Sequence, residues 1–109
     1  NERLVCYLDG PLGRVAVVAV GAYNVGRISA AFDPEWRAAP GRGAWVTNRK
    51  HARPETHDYA PPVEVRQGDE IMAFHLGSTV VLLTERGAPP VRPGLRPGDA
   101  VRLGEVVAG

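Results

Sequence analysis

Glycine and proline recur along the whole chain, with 13 and 10 copies in 109 residues. Proline removes a backbone donor and fixes φ, and glycine weakens regular helix, so this punctuation leaves little room for long helices. Between these breaks lie runs of Val, Ile, Thr and Leu, the composition of short strands joined by turns. No stretch carries sustained helical periodicity. The first strand is expected over Arg3–Leu8, closed by a turn at Asp9-Gly10-Pro11. An apolar strand over Val15–Val20 ends at Gly21, and an alternating strand is expected over Val25–Phe32.

Residues 33–62 read differently. They hold Pro34, Pro40, Pro54, Pro61 and Pro62, both tryptophans and two of the three histidines. This pattern predicts one long surface loop with at most a short strand near Trp45, and loops of that length in compact domains are usually functional or mobile. Further on, Arg66-Gln67-Gly68-Asp69-Glu70-Ile71 is echoed by Arg96-Pro97-Gly98-Asp99-Ala100-Val101. In each copy a Gly-Asp turn is expected to lead into an apolar strand, as in packed pairs of hairpins. The expected fold is therefore all-β: a barrel-sandwich-hybrid-like domain of short, mostly antiparallel strands with one long surface loop. Glycines 21, 26, 68, 77, 98 and 104 are assigned to turns or close backbone contacts.

Bulk properties narrow the function. A formal net charge of +1 predicts no general attraction to nucleic acid. The single cysteine, Cys6, lies among Val5, Tyr7 and Leu8 and reads as a small buried hydrophobe, with no disulfide inside the chain. No apolar run approaches the roughly 20 residues that span a bilayer. A start at Asn1, directly inside a strand pattern, leads us to expect a fragment or processed product.

The segment Phe74-His75-Leu76-Gly77-Ser78-Thr79-Val80-Val81-Leu82-Leu83 carries the chemistry. Alone, Gly77-Ser78 is a common turn, with Ser78 and Thr79 bonding their own backbone. In context, Leu76-Gly77-Ser78-Thr79 resembles the Leu-Gly-Ser-Thr motif of the phosphatidylserine decarboxylases. Asn1-Glu2-Arg3, Val20-Gly21-Ala22-Tyr23-Asn24-Val25-Gly26-Arg27-Ile28 and Gly68-Asp69-Glu70 before Phe74 are similar to further blocks of that family, in the family's order. Met72, where the family usually has glycine, and Thr84, where an aromatic is common, depart from its pattern.

The resemblance implies that a proenzyme is cut between Gly77 and Ser78. Residues 1–77 would end the β chain and residues 78–109 would form the α chain. The Ser78 hydroxyl attacks the Gly77 carbonyl, which lacks a neighbouring Cβ and is open to approach. Elimination and loss of ammonia convert Ser78 to a covalent pyruvoyl group, a ketone that no coded side chain offers. That ketone forms a Schiff base with the lipid amine and accepts the electrons released with carbon dioxide, giving phosphatidylethanolamine. Ser78 is thus the candidate catalytic residue and pyruvoyl precursor, and Gly77 and Ser78 are the cleavage residues; no metal is expected. The implied partners are a phospholipid substrate, a membrane surface and the N-terminal part of the same proenzyme, with a homodimer left open. The implied location is the cytoplasmic side of the cell membrane, peripherally held. A base is needed to activate serine. The family's assisting Asp and His belong to its N-terminal region, so neither role is assigned to Asp33, His51, His57, Asp58 or His75.

Other readings compete. His75 lies an odd number of residues before Ser78, which on a strand places it on the opposite face, and it reads as a surface or spacer residue. His51, His57 and Asp58 are weak material for a metal site and read as solvated loop residues. Arg37, Arg42, Arg49, Lys50 and Arg53 with Trp36 and Trp45 suit a solvated loop, or contact with anionic lipid headgroups. A lipoyl-type carrier needs a lysine at an exposed hairpin tip, and the Asn48-Arg49-Lys50-His51 setting of the sole lysine is wrong for it. A serine hydrolase elbow is absent, since Val80 follows Thr79. A degenerate, non-catalytic decarboxylase-like binding or structural domain is the alternative.

Overall fold

The computed structural model describes residues 2–22, 27–33, 53–76 and 79–109. Five strands make up the regular structure: β1 (Arg3–Gly10), β2 (Gly13–Val20), β3 (Ile28–Ala30), β4 (Met72–Phe74) and β5 (Thr79–Thr84). All pairings are antiparallel and no helix occurs among the described residues. One sheet has the order β1-β2-β5, and a second pairs β3 with β4.

The β1–β2 hairpin turns at Pro11-Leu12, one residue later than the Asp9-Gly10-Pro11 turn expected, with Gly10 opposite Gly13. Both strands therefore run longer than their apolar cores. Gly13 has φ 95°, a left-handed conformation that glycine adopts at little cost. At the tip, Arg14 donates from Nε and an Nη atom to the two Asp9 carboxylate oxygens at 2.7 and 2.9 Å.

β3 is shorter than the strand expected over Val25–Phe32. Arg27 has φ 84°, outside strand geometry, and residues 23–26 lie outside those described. The β3–β4 ladder is extended by backbone bonds at both ends, from Ala31 N to Ile71 O and from His75 N to Arg27 O.

Strand alternation divides the three-stranded sheet into two faces. On one, Leu4 and its register partner Ala19 pack with Ile28 and Ala30 of β3, and Phe32, Met72 and Phe74 lie against this cluster. Met72, the residue that departs from the family's glycine, thus supplies core side chain. Cys6 is buried on the same sheet, as expected, and burial raises its thiol pKa. The core is small: among the described residues, the buried large aliphatics are only Leu4 and Ile28.

The internal echo is real as a pair of turns. Gly68 and Gly98 have φ 90° and 91°, and each following aspartate accepts from the arginine amide three residues back at 2.8 Å. A third turn repeats it with glutamate: Arg102 N donates to Glu105 at 2.8 Å and Gly104 has φ 82°. Only the first turn leads into a strand, β4; no strand follows Asp99. The last residues instead fold back on themselves, with Val91 bridged to Ala108 and Arg92 paired with Glu105 at 2.7 Å. Of the remaining glycines expected in turns, Gly21 continues the hairpin by donating to Glu2 O, while Gly26 and Gly77 lie outside the described residues.

Candidate functional site

Gly77 and Ser78 lie outside the described residues, and the site is built from what flanks them. Residues 75–78 link β4 in the smaller sheet to β5 in the larger one. The approach is anchored to β3. His75 donates its backbone N–H to Arg27 O at 2.8 Å, and its Nε2 lies 2.9 Å from Ser29 Oγ. His75 is exposed, as expected of a surface residue, yet it also ties the approach to the neighbouring strand. The exit is anchored to β2, where Thr79 faces Val20.

Register partners share a face of a sheet. Three rows follow across β1, β2 and β5: Arg3–Val20–Thr79, Val5–Val18–Val81 and Tyr7–Ala16–Leu83. All of these residues but Thr79 line an open groove of about 740 Å³. At a rise of about 3.3 Å per residue, its floor runs about 10 Å along β5 from Val81 to Thr84. Arg3 stands at the end where β5 begins, in register through Val20 with Thr79; Arg14 and Glu85 stand at the other. The middle is apolar and accessible, with Val5 and Val81 each about 40% exposed.

A second cluster lies at the end of β3. Asp33 is buried at 1% exposure, and its Oδ2 accepts from Tyr59 OH and lies 2.8 Å from His57 Nδ1. His57 Nε2 is 2.8 Å from Glu55 Oε1. The Tyr59 ring meets Phe32 edge-on at 5.8 Å. With a carboxylate on each nitrogen, the hydrogen bonds to Glu55 and then Asp33 raise the His57 pKa. Both ring nitrogens of His57 are engaged, so in this arrangement it ties Glu55 to Asp33. This corrects the reading of His57 as a solvated loop residue: its side chain is only 16% exposed. The sequence signal was the i, i+2, i+4 spacing of Glu55, His57 and Tyr59, which puts three side chains on one side of an extended segment.

Asp58 is exposed, and so is Arg53. The other loop residues singled out, His51, Trp36, Trp45, Arg37, Arg42, Arg49 and Lys50, lie outside the described residues, as does the short strand expected near Trp45. Among the described residues no helix is long and apolar enough to cross a membrane.

Comparison with known proteins gives one consistent result. The family model for phosphatidylserine decarboxylase matches residues 1–109. The phosphatidylserine decarboxylase proenzyme of Anaeromyxobacter sp. (strain K) is 49% identical over 109 residues, covering 100% of this chain and 36% of the relative. That of Methylibium petroleiphilum is 41% identical over 108 residues, covering 99% of the chain and 35% of the relative. That of Myxococcus xanthus is 39% identical over 105 residues, covering 96% and 34%. The chain thus spans about a third of the length of these curated relatives. No solved structure matches it.

Proposed function

The chain belongs to the phosphatidylserine decarboxylase family, and on that premise we propose that it is the C-terminal catalytic region of a proenzyme that converts phosphatidylserine to phosphatidylethanolamine. Residues 1–77 end the β chain, and residues 78–109 form the α chain after cleavage at Gly77–Ser78. The observation that carries this reading is the match of the family model from the first residue to the last.

The chemistry proposed for this chain's own residues balances as follows. Ser78 Oγ adds to the Gly77 carbonyl carbon and the Gly77 C–N bond breaks, leaving an ester and a free Ser78 amine. Loss of the Ser78 Cα proton expels Gly77 as its carboxylate. Tautomerisation and addition of water release ammonia and leave a pyruvoyl group at residue 78. The flanking residues suit such a group: Thr79 is fixed in β5, so the new terminus is tethered by backbone pairing to β2. The pyruvoyl group supplies the electron-accepting carbonyl that decarboxylation of an amino acid needs. Arg3, at the same end of the groove, brings positive charge toward an anionic headgroup. The base for Ser78 comes from the upstream part of the proenzyme.

The finer architecture of the complete domain is a barrel-sandwich hybrid. The enzyme works at the cytoplasmic face of the cell membrane as a peripheral protein, and a homodimer is compatible with it. Intact-mass analysis of the full-length protein tests the reading. The α chain should be lighter than the coded Ser78–Gly109 peptide by the conversion of serine to pyruvoyl, and it should resist Edman degradation. Ser78→Ala should abolish cleavage and decarboxylation together. A wild-type protein that stays uncut and inactive would favour a non-catalytic, decarboxylase-like domain.

A further inference from the structure

The described residues bury little and expose much. Ala16, Ala19 and Ala30 make up half of the buried hydrophobic residues, whereas Tyr7 is 69%, Val80 55%, Leu82 45% and Leu83 56% exposed. A stable domain of this size normally hides such side chains. The exposure has a definite shape. All six residues of β5, Thr79–Thr84, are exposed. Val81 and Leu83 face the groove, whereas Val80 and Leu82 point to the opposite side of the sheet. β5 is also an edge strand: among the described residues no strand pairs with its outer side. An apolar edge strand open on two faces and one edge is an association site.

We propose that β5, with both of its faces and its outer edge, is the seat of the upstream part of the same proenzyme. This rests on reading the chain as the C-terminal part of a longer protein. Three occupants compete, and the geometry separates them. An acyl chain lying in the groove covers Val81 and Leu83 but leaves Val80, Leu82 and the strand's edge in water. A second copy paired edge to edge extends the sheet but leaves both faces open. A folded polypeptide wraps two faces and an edge at once. The relatives carry such a polypeptide, since the matched region is only 36% of the Anaeromyxobacter proenzyme. The segment that follows β5 does not serve: residues 85–109 form turns closed on one another, through Val91–Ala108 and Arg92–Glu105. β5 also begins at the residue after Ser78, so a partner seated on it is delivered directly beside the peptide bond to be cut.

Cysteine labelling in the full-length protein tests this. Val81→Cys and Leu82→Cys report the two faces in a Cys6→Ala background, and the same proteins unfolded in urea give the reference rates. Both positions should react with maleimide at least tenfold more slowly in the native protein, independently of protein concentration and of phosphatidylserine vesicles. Hydrogen exchange on the unaltered protein should show protection of the β5 amides on its outer edge, which do not bond to β2, and this keeps the test open if a cysteine variant fails to fold. Protection of Val81→Cys alone, and only with vesicles present, would assign the face to lipid and overturn the proposal. Protection lost on dilution would assign it to a second copy, and rates equal to those in urea would leave it unoccupied; either result overturns it as well. The labelling is repeated in Ser78→Ala, which needs neither cleavage nor activity, so failure here and failure of the decarboxylase reading are distinguishable.

Discussion

Thr79 faces Val20 as the first of six register pairs that run from there to Val15 and Thr84. The two members of that pair belong, on the proposed cleavage, to different polypeptides. Residues 79–84 are held by backbone bonds to β2, whereas His75 is held by Arg27 and Ser29 next to β3. Cutting Gly77–Ser78 would therefore break the connection from β4 to β5 without removing a rung from either sheet.

The first prediction is that the cleaved chains stay together. Gel filtration or native mass spectrometry of the processed full-length protein should show one complex, separated only by denaturant. Val18→Pro should undo this. β2 is the central strand of its sheet, and proline there removes a ladder donor that a central strand does not tolerate losing. An α chain that elutes alone from the wild-type protein under native conditions would contradict the pairing.

The second prediction concerns Asp33 and His57. His57→Ala removes a hydrogen-bond partner from a carboxylate at 1% exposure and should destabilise by about 1–3 kcal/mol. Tyr59→Phe deletes the other donor seen on Oδ2 and should act in the same direction. The pH dependence has a definite sign. Because Glu55 and Asp33 raise the His57 pKa above its usual value of 6.5, its contribution is fully present below that value. It fades as pH rises through the higher folded value. Urea midpoints measured at pH 6 and pH 8.5 should therefore differ more for wild type than for His57→Ala; equal differences would remove His57 from the account.

How much of this was legible in the sequence follows from the range of the interactions. The β1–β2 hairpin and the apolar strand after Thr79 are local patterns, and they appear where Val, Ile and Leu crowd between glycines. The turns at Gly68 and Gly98 were legible because a glycine at positive φ followed by an aspartate closes a loop within four residues. The strand expected after Gly98-Asp99 does not form: Val101 and Leu103 are 50% and 106% exposed, and among the described residues no strand pairs with them. The tie between Asp33 and His57 joins positions 24 apart, and the spacing of Glu55, His57 and Tyr59 marks a shared side without naming the partner it meets. His57 and Asp58 sit side by side in the sequence, yet one is largely buried and the other exposed.

The third prediction uses the repeated turns against each other. Gly68→Ala and Gly98→Ala place a Cβ on residues at φ 90° and 91°, with open space around the added atom at both. The penalty is then purely conformational, about 1–2 kcal/mol for the left-handed region. The two variants should lose similar stability in urea. Because the Gly68 turn leads into β4 and the Gly98 turn leads into no strand, only Gly68→Ala should also slow cleavage at Gly77–Ser78. Equal slowing by both would show that the turn does not act through β4.

The last prediction concerns Gly13, where conformation and space act together. Gly13 has φ 95°, and a Cβ built there meets Glu85 Oε2 at 2.8 Å. That same oxygen accepts the Arg14 backbone N–H at 3.2 Å, so the end of β5 is hooked to the start of β2 through a side chain. Gly13→Ala must adopt a left-handed conformation and also push Glu85 aside. Glu85 is exposed and can swing away, so the steric part is relieved at the loss of the hook. Gly13→Ala should therefore cost more than Gly68→Ala, by about 0.5–1.5 kcal/mol for a net hydrogen bond. Glu85→Ala isolates that second part. In the Glu85→Ala background the added methyl has nothing to displace, and Gly13→Ala should fall back to the cost of Gly68→Ala. A double-mutant cycle on urea unfolding measures the difference directly. A coupling energy of zero between the two positions would show that the hook carries no stability, leaving only the backbone conformation to explain the glycine.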